Sequence, residues 1–146
     1  MHRILLICAA VIALAGGAAR AGEGYVTHAY DGSFEDAVFS VENAIIGAGL
    51  VVDYVSHTGE MLARTGADVG SDVQLFDNAQ IFVFCSASLS RKVMEEDPMN
   101  IAWCPYTIFV TDRGGEVLVG YREYPEGAMQ QVEALLAAIV DEAVAF

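Results

Sequence analysis

The sequence predicts a two-layer α/β sandwich in which one mixed sheet is packed by amphipathic helices. Segments rich in β-branched and aromatic residues alternate with segments whose apolar residues recur at helical spacing, in the order β-α-β-(α)-β-α-β-β-α. The segment DRGGE, residues 112–116, separates two apolar stretches and is a strong hairpin signal. A chain of 146 residues that is 55% hydrophobic can fill one core. The hairpin makes the predicted sheet mixed, because its two strands must be antiparallel.

The first 21 residues are typical of a cleaved secretory signal peptide. A short polar start is followed by an apolar run over residues 4–14, and the triplet at 19–21, Ala-Arg-Ala, fits the small-x-small rule for cleavage after Ala21. The apolar run is too short for a membrane anchor, which needs about 20 residues. We therefore expect a periplasmic or secreted protein whose mature chain, residues 22–146, is a single domain.

The net charge limits the partners of the protein. The chain carries a formal charge of −13 at pH 7, and cleavage of the signal peptide makes it more negative by removing two arginines. Such an acidic surface repels nucleic acids and anionic lipids, so we expect binding to neither. No second apolar segment is long enough to span a membrane after the signal is removed.

The first half of the mature chain predicts two strands and one or two helices. Residues 24–30 form a first strand, and Ser33 then caps a helix that Gly49 ends. Residues 50–56 are β-branched and aromatic enough for a second strand, and residues 59–66 form a short helix. The buried stripe of the long helix is predicted to be Phe34, Val38, Val41, Ile45 and Ala48.

The second half begins with a continuous apolar strand over residues 81–85, which we expect to be covered on both faces. A helix over residues 89–97 follows, capped by Ser88 or Ser90, and the dipeptide at 97–98, Asp-Pro, ends it.

Two strands, residues 106–111 and 117–124, then flank the hairpin turn. Pro125 and Glu126 are expected to open the last helix. Its apolar stripe is predicted to be Met129, Val132, Leu135, Leu136, Ile139, Val140 and Ala143.

The order of these segments resembles the family known as domain of unknown function 302. The resemblance covers roughly residues 25–140 and rests on the segments FEDAVFSVENAIIGAGL, VVDYVSH, IFVFC, EEDP, CPYTIFV and DRGGEVLVGY. It implies a small α/β fold, often dimeric, without a settled activity.

Within this resemblance the most telling positions are His57, the Asp-Pro pair at 97–98, Pro105 and Tyr121. The chain departs from the family pattern in two places. It has F-C-S-A after the third strand where many members have F-G-N-P, and Cys104 precedes Pro105 where a cysteine often follows the proline.

His57 is the leading candidate for a binding residue. It closes the second predicted strand, where side chains face a cleft, and imidazole binds haem iron, copper or zinc. Met61 lies four residues later, so a His57/Met61 metal pair is one hypothesis. The alternatives are a histidine hydrogen-bonded at a strand end, with Met61 in the core, and a general base. His28, the other histidine of the mature chain, is expected on a solvent face, unless its strand neighbours that of His57.

Two cysteines remain after Cys8 leaves with the signal peptide, and an oxidising compartment favours a bridge between them. Cys85 and Cys104 lie on successive strands, so a disulfide is allowed but not required. Separate buried thiols, metal ligation and redox exchange are the alternatives. The C-x-x-C spacing of thiol–disulfide enzymes is absent. Met94 and Met99 could add soft donors for Cu(I), but methionine is more often core filler.

Three functional hypotheses follow from these residues. The first is a ligand-, haem- or metal-binding module that acts near His57. The second is a cofactor-free accessory domain of the cell envelope that docks on another exported protein, and the third is a thiol-redox enzyme. No catalytic residue is assigned, and a homodimer is a further expectation.

Overall fold

A computed structural model describes residues 20–22 and 24–145. One sheet contains six strands: β1 (Arg20–Gly22), β2 (Tyr25–Ala29), β3 (Val51–Ser56), β4 (Asn78–Cys85), β5 (Tyr106–Arg113) and β6 (Glu116–Arg122). Their order across the sheet is β1-β2-β6-β5-β4-β3. The helices are α1 (Phe34–Gly47), α2 (Thr58–Thr65), α3 (Ala87–Glu96) and α4 (Gln130–Val144), with 3-10 segments at Ala67–Val69 and Pro98–Trp103.

The predicted two-layer α/β sandwich is confirmed, but the expectation of a mixed sheet is wrong. Every pair of neighbouring strands in the described part of the chain is antiparallel. The reason is visible between β4 and β5. Helix α3 and the 3-10 segment Pro98–Trp103 bring the chain back to the end of β4 that it left, so β5 starts beside that end and runs the opposite way.

The hydrophobic core lies between one face of the sheet and helices α1 and α4. Full burial of each large apolar side chain contributes about 1.5–3 kcal/mol, so this layer supplies most of the favourable free energy of folding. The largest fully buried side chains of the protein are Tyr106, Phe82, Phe84, Ile45, Ile108, Met129, Leu136, Ile139, Val41, Val93, Val110 and Val119.

The other face of the sheet is less well covered. In β4, Phe82 and Phe84 are buried towards the helices, whereas Ile81 and Val83 on the opposite face are only half-buried. The expectation that this strand is covered on both faces is therefore wrong. A continuous apolar run cannot distinguish full burial from a half-open sheet face, because both require similar residues.

Both ends of α1 follow the sequence prediction. The Ser33 side chain accepts a hydrogen bond from the Asp36 backbone N–H at 3.1 Å, which satisfies one free donor of the first turn. After the helix ends, Gly49 adopts a φ of +77°, a conformation that favours glycine.

Helices α3 and α4 begin at positions other than those predicted. Ser86, not Ser88 or Ser90, caps α3 by accepting a hydrogen bond from the Leu89 backbone N–H at 3.4 Å. Helix α4 begins at Gln130 rather than at residues 125–126, because Gly127 adopts a φ of +96° that interrupts helical geometry.

The predicted hairpin is confirmed. Gly114 and Gly115 both have positive φ, as a two-residue turn between twisted strands requires, and Asp112 accepts a hydrogen bond from the Gly115 backbone N–H at 3.0 Å.

The predicted signal peptide lies mostly outside the described residues and stays a prediction. Cleavage after Ala21 would fall within β1, the three-residue strand at the edge of the sheet. Within residues 20–22 and 24–145, no helix has both the length and the apolar character needed to cross a bilayer.

Candidate functional site

His57 lies where β3 ends and α2 begins. The antiparallel register pairs Ser56 with Ile81, which brings residue 57 beside Gln80 on β4. The Nδ1 atom of His57 lies 3.3 Å from Gln80 Nε2 and 3.6 Å from Glu60 Oε1. The side chain of His57 is 53% exposed. Both neighbours contact the same ring nitrogen, and the imidazole is open enough to solvent to contact a bound molecule.

Two adjoining cavities lie along α2, and this histidine lines one of them. The smaller, of about 140 Å³, is lined by His57, Glu60 and the first residues of β4. The larger, of about 390 Å³, lies between α2 and residues 71–76. Gly59 and Ala63 line both cavities, so the two form one cleft along α2. We call this the α2 cleft; its combined lining lies within residues 57–80 together with Phe34.

Gly59 allows α2 to pack against β4 at close range. A Cβ atom at this position would lie 2.6 Å from the backbone nitrogen of Ala79. Only glycine therefore fits without a shift of one backbone against the other. The close approach fixes the position of α2, whose Gly59 lines both cavities.

The lining of the α2 cleft contains both acidic and apolar side chains. Glu60, Asp72 and Asp77 supply three carboxylates, and the lining includes neither lysine nor arginine. Asp77 is held in place because it accepts a hydrogen bond from Gln74 Nε2 at 2.9 Å and another from the Gly114 backbone N–H. Apolar surface comes from Leu62, Val73, Leu75 and Phe76. This combination suits a small neutral or cationic molecule with an apolar part.

The predicted His57/Met61 metal pair stays a prediction. Met61 is 42% exposed and does not line the α2 cleft; its sulfur lies 3.9 Å from Thr65 Oγ1. Among the residues that the structure describes, no three His, Cys, Asp or Glu side chains cluster closely enough to hold a metal ion.

His28 cannot join His57 as a ligand, because β2 and β3 lie towards opposite edges of the sheet. The expectation that His28 faces solvent is also wrong. Its partner in the register is Val119, so it points to the helix layer. There its side chain is 11% exposed, and Nδ1 lies 3.8 Å from Asp141 Oδ1.

The two cysteines within the described residues, Cys85 and Cys104, are in contact. Because Phe84 pairs with Tyr106, the end of β4 meets the segment that precedes β5. The Sγ atoms of Cys85 and Cys104 lie 3.1 Å apart, and both cysteines are free thiols that are partly buried.

Hydrogen bonds extend this thiol pair into the core. Ser90 Oγ lies 3.7 Å from Cys104 Sγ and 2.9 Å from the Tyr106 hydroxyl. Burial, and then the hydrogen bond with Cys104, raises the pKa of the Cys85 thiol to about 11. A thiol with so high a pKa is almost entirely protonated at neutral pH and is a weak nucleophile.

An aromatic cluster covers the same region. The Trp103 ring lies 5.9 Å from that of Tyr124, which in turn lies 6.2 Å from the Tyr106 ring. Burial raises the pKa of Tyr124 to about 12, against the opposing effect of the nearby Arg122 charge. These contacts fix the segment that carries Cys104.

Sequence reasoning missed three residues of these sites. Glu60 lies three positions after His57 on a helix, so its spacing was a usable signal. Gln80 and Ser90 meet their partners only through strand register and helix packing. Neither contact has a local sequence signal.

The fold and the α2 cleft place this protein among the small α/β sandwiches that are built on one antiparallel sheet. Residues 26–145 match the family model described as Domain of unknown function DUF302, and the chain belongs to that family. The predicted resemblance is thereby confirmed.

A solved structure shares this fold. It is described as the crystal structure of the uncharacterized conserved protein DUF302 from Bacillus stearothermophilus. The TM-score is 0.59 at 17% sequence identity, over 85% of this chain and 94% of the other. No curated protein matches the chain.

Proposed function

We propose that this protein is an exported binding module that holds a small amphipathic ligand, neutral or cationic, in the α2 cleft. The observation that carries the proposal is the cavity of about 390 Å³ along α2, which adjoins the smaller cavity lined by the half-exposed His57. This volume lies in the range of about 300–1,000 Å³ that is usual for small-molecule sites.

The chemistry of the lining defines the ligand class. An apolar group would occupy the side formed by Leu62, Leu75 and Phe76, where it leaves water. A cationic or hydrogen-bonding group would lie towards Glu60 and His57. An anionic ligand is disfavoured because the lining carries carboxylates without a basic residue to balance them.

A haem or copper ion held by His57 is a narrower form of this proposal. It has less support, because Met61 lies outside the cleft lining and His57 would need donors from another molecule. Absorbance spectroscopy and metal analysis of protein purified from its native compartment test this form. A colourless, metal-free protein would contradict it.

The ligand class is tested by comparing two probes of similar shape and opposite charge. Phenethylamine should bind more tightly than phenylacetate, measured by calorimetric titration of each. Glu60→Gln should weaken phenethylamine binding by about two- to fivefold, since a largely exposed charge contributes up to about 1 kcal/mol. His57→Gln should weaken both probes. Glu142→Gln, an exposed carboxylate on α4 that lines neither cavity, is the matched control and should change neither. Equal affinity for both probes, or loss of binding in the control, would contradict the proposal.

A second candidate function is an accessory domain that docks on another exported protein. Val51 and Tyr54 favour it, because they are 72% and 63% exposed on β3, an edge strand of the sheet. Val51→Ser with Tyr54→Ser would abolish such docking and leave phenethylamine binding unchanged. The same variant tests the expected homodimer by sedimentation, since a dimer built on this edge would dissociate.

Export is the remaining part of the proposal. The signal-like residues 1–21 support a periplasmic or secreted location. N-terminal sequencing of the protein from its own cells should give Gly22 as the first residue. A retained Met1 would contradict cleavage.

A further inference from the structure

The sulfur atoms of Cys85 and Cys104 are placed for bond formation. They lie 3.1 Å apart at the junction of β4, α3 and β5. A disulfide holds its sulfurs about 2.05 Å apart, so the two atoms need to approach by only about 1 Å. The antiparallel register that pairs Phe84 with Tyr106 brings the two backbones together. The contact therefore belongs to the fold and needs no rearrangement of the sheet.

We propose that Cys85 and Cys104 are a disulfide-forming site, oxidised by exchange with a small-molecule or protein disulfide, and that the bridge clamps α3 and the 3-10 segment Pro98–Trp103 onto the sheet. This inference does not depend on the ligand proposed for the α2 cleft. It concerns the opposite end of β4.

The exchange has a defined balance of atoms and electrons. One protein thiol loses its proton, and its thiolate attacks the oxidant disulfide, forming a mixed disulfide and releasing one thiolate. The second protein thiolate then attacks the protein sulfur of the mixed disulfide and releases the other half of the oxidant. Two electrons pass from the protein to the oxidant, and the two protons protonate the released thiolates.

The surroundings of the two cysteines favour a stable disulfide over one that is formed and reduced rapidly. The high pKa of the Cys85 thiol, about 11, leaves only about one side chain in ten thousand ionised at neutral pH. The exchange step in which Cys85 is the nucleophile is slow when its thiolate is scarce. The partial burial of both sulfurs also limits access by a reductant. We therefore assign the pair a structural, redox-dependent role and not a catalytic one.

Peptide mapping of the full chain tests the bridge without any substitution. The positions of Arg64, Arg91, Lys92 and Arg113 place Cys85 and Cys104 in separate tryptic peptides, 65–91 and 93–113, while Cys8 falls in a third. After incubation with oxidised glutathione and alkylation of free thiols, the first two peptides should be linked, with the loss of two hydrogens. Two alkylated peptides, a glutathione adduct on either cysteine, or a link to the Cys8 peptide would overturn the proposal.

The clamp itself is tested by stability and fluorescence. Oxidation should raise the midpoint of thermal unfolding by roughly 10 °C, because the bridge closes a loop of about 20 residues. Trp103, the only tryptophan, adjoins Cys104, so its emission should change with the redox state. A variant carrying Cys85→Ser and Cys104→Ser should show neither response to oxidant or reductant. An oxidised wild type with the unfolding midpoint of the reduced form would overturn the clamp.

Discussion

Cys85 and Cys104 stand 19 positions apart in the sequence, yet their sulfur atoms are 3.1 Å from each other. Helix α3 and the 3-10 segment after it account for this contact, since they return the chain to the end of β4. The same return explains why β5 is antiparallel to β4. The return of the chain through α3 thus determines both the antiparallel pairing of β5 with β4 and the position of the two thiols.

The reduced protein should lose stability in alkaline solution. Burial raises the pKa of Cys85 above its ordinary value in the folded state, so the folded state holds this proton more tightly than the unfolded state. This contribution is complete below the unfolded pKa, about 9, and is lost as pH rises to about 11. Urea unfolding of wild type and Cys85→Ser across this interval should show a steeper loss in wild type. Parallel curves would contradict the assignment.

Alkylation should report the same protonation state. At pH 7 the reduced protein should react with iodoacetamide at Cys85 far more slowly than an unfolded control, because little thiolate is present. The rate should rise about tenfold for each pH unit up to about pH 11. A rate that levels off just above pH 9, read by mass spectrometry of peptide 65–91, would mean that the thiol is not perturbed.

Gly59→Ala should destabilise the protein by about 1–3 kcal/mol, because the new methyl group would meet the backbone of Ala79. Chemical denaturation measures the cost. Gly47→Ala is the matched control: there a Cβ would lie 3.6 Å from Glu142 Oε1, an ordinary contact. Replacing this helical glycine by alanine reduces the conformational freedom of the unfolded chain. The control should therefore leave the free energy of unfolding unchanged or raise it by up to about 1 kcal/mol. Equal costs at both positions would refute the close packing of α2 on β4.

Ser86→Ala should cost about 1 kcal/mol of stability through loss of the α3 cap. Ser88→Ala, one of the two positions expected from sequence, should stay within about 0.5 kcal/mol of wild type. The midpoints of chemical denaturation of the two variants measure this difference in stability. A larger loss of stability in Ser88→Ala would indicate that Ser88 caps α3, one of the two positions predicted from the sequence.

The sequence was sufficient for those parts of the fold that depend on local chemistry. Ser33 and Gly49 bound α1 as predicted, and Gly114 with Gly115 form the expected turn, because capping and positive φ leave direct signals in residue type. The cap of α3 failed for the same local reason: three serines compete within five residues, and packing decides that Ser90 bonds to Tyr106 instead.

Other contacts depend on the register between strands, which the local sequence does not predict. This register turns His28 towards α4 and brings Gln80 to His57. Both follow from pairings between segments far apart in the chain. His57 could be proposed from its place at a strand end, but the α2 cleft beside it depends on how residues 71–76 fold back along α2. No periodicity in that segment predicts this path.

The most direct test of the binding proposal is to locate the site by NMR. Phenethylamine is titrated into isotopically labelled protein while the backbone amide shifts are followed. We predict that the largest saturable changes fall within residues 57–80, and that His57→Gln reduces them while Glu142→Gln leaves them unchanged. Changes that never saturate, or that concentrate on β3 around Val51 and Tyr54 instead, would contradict a ligand site in the α2 cleft.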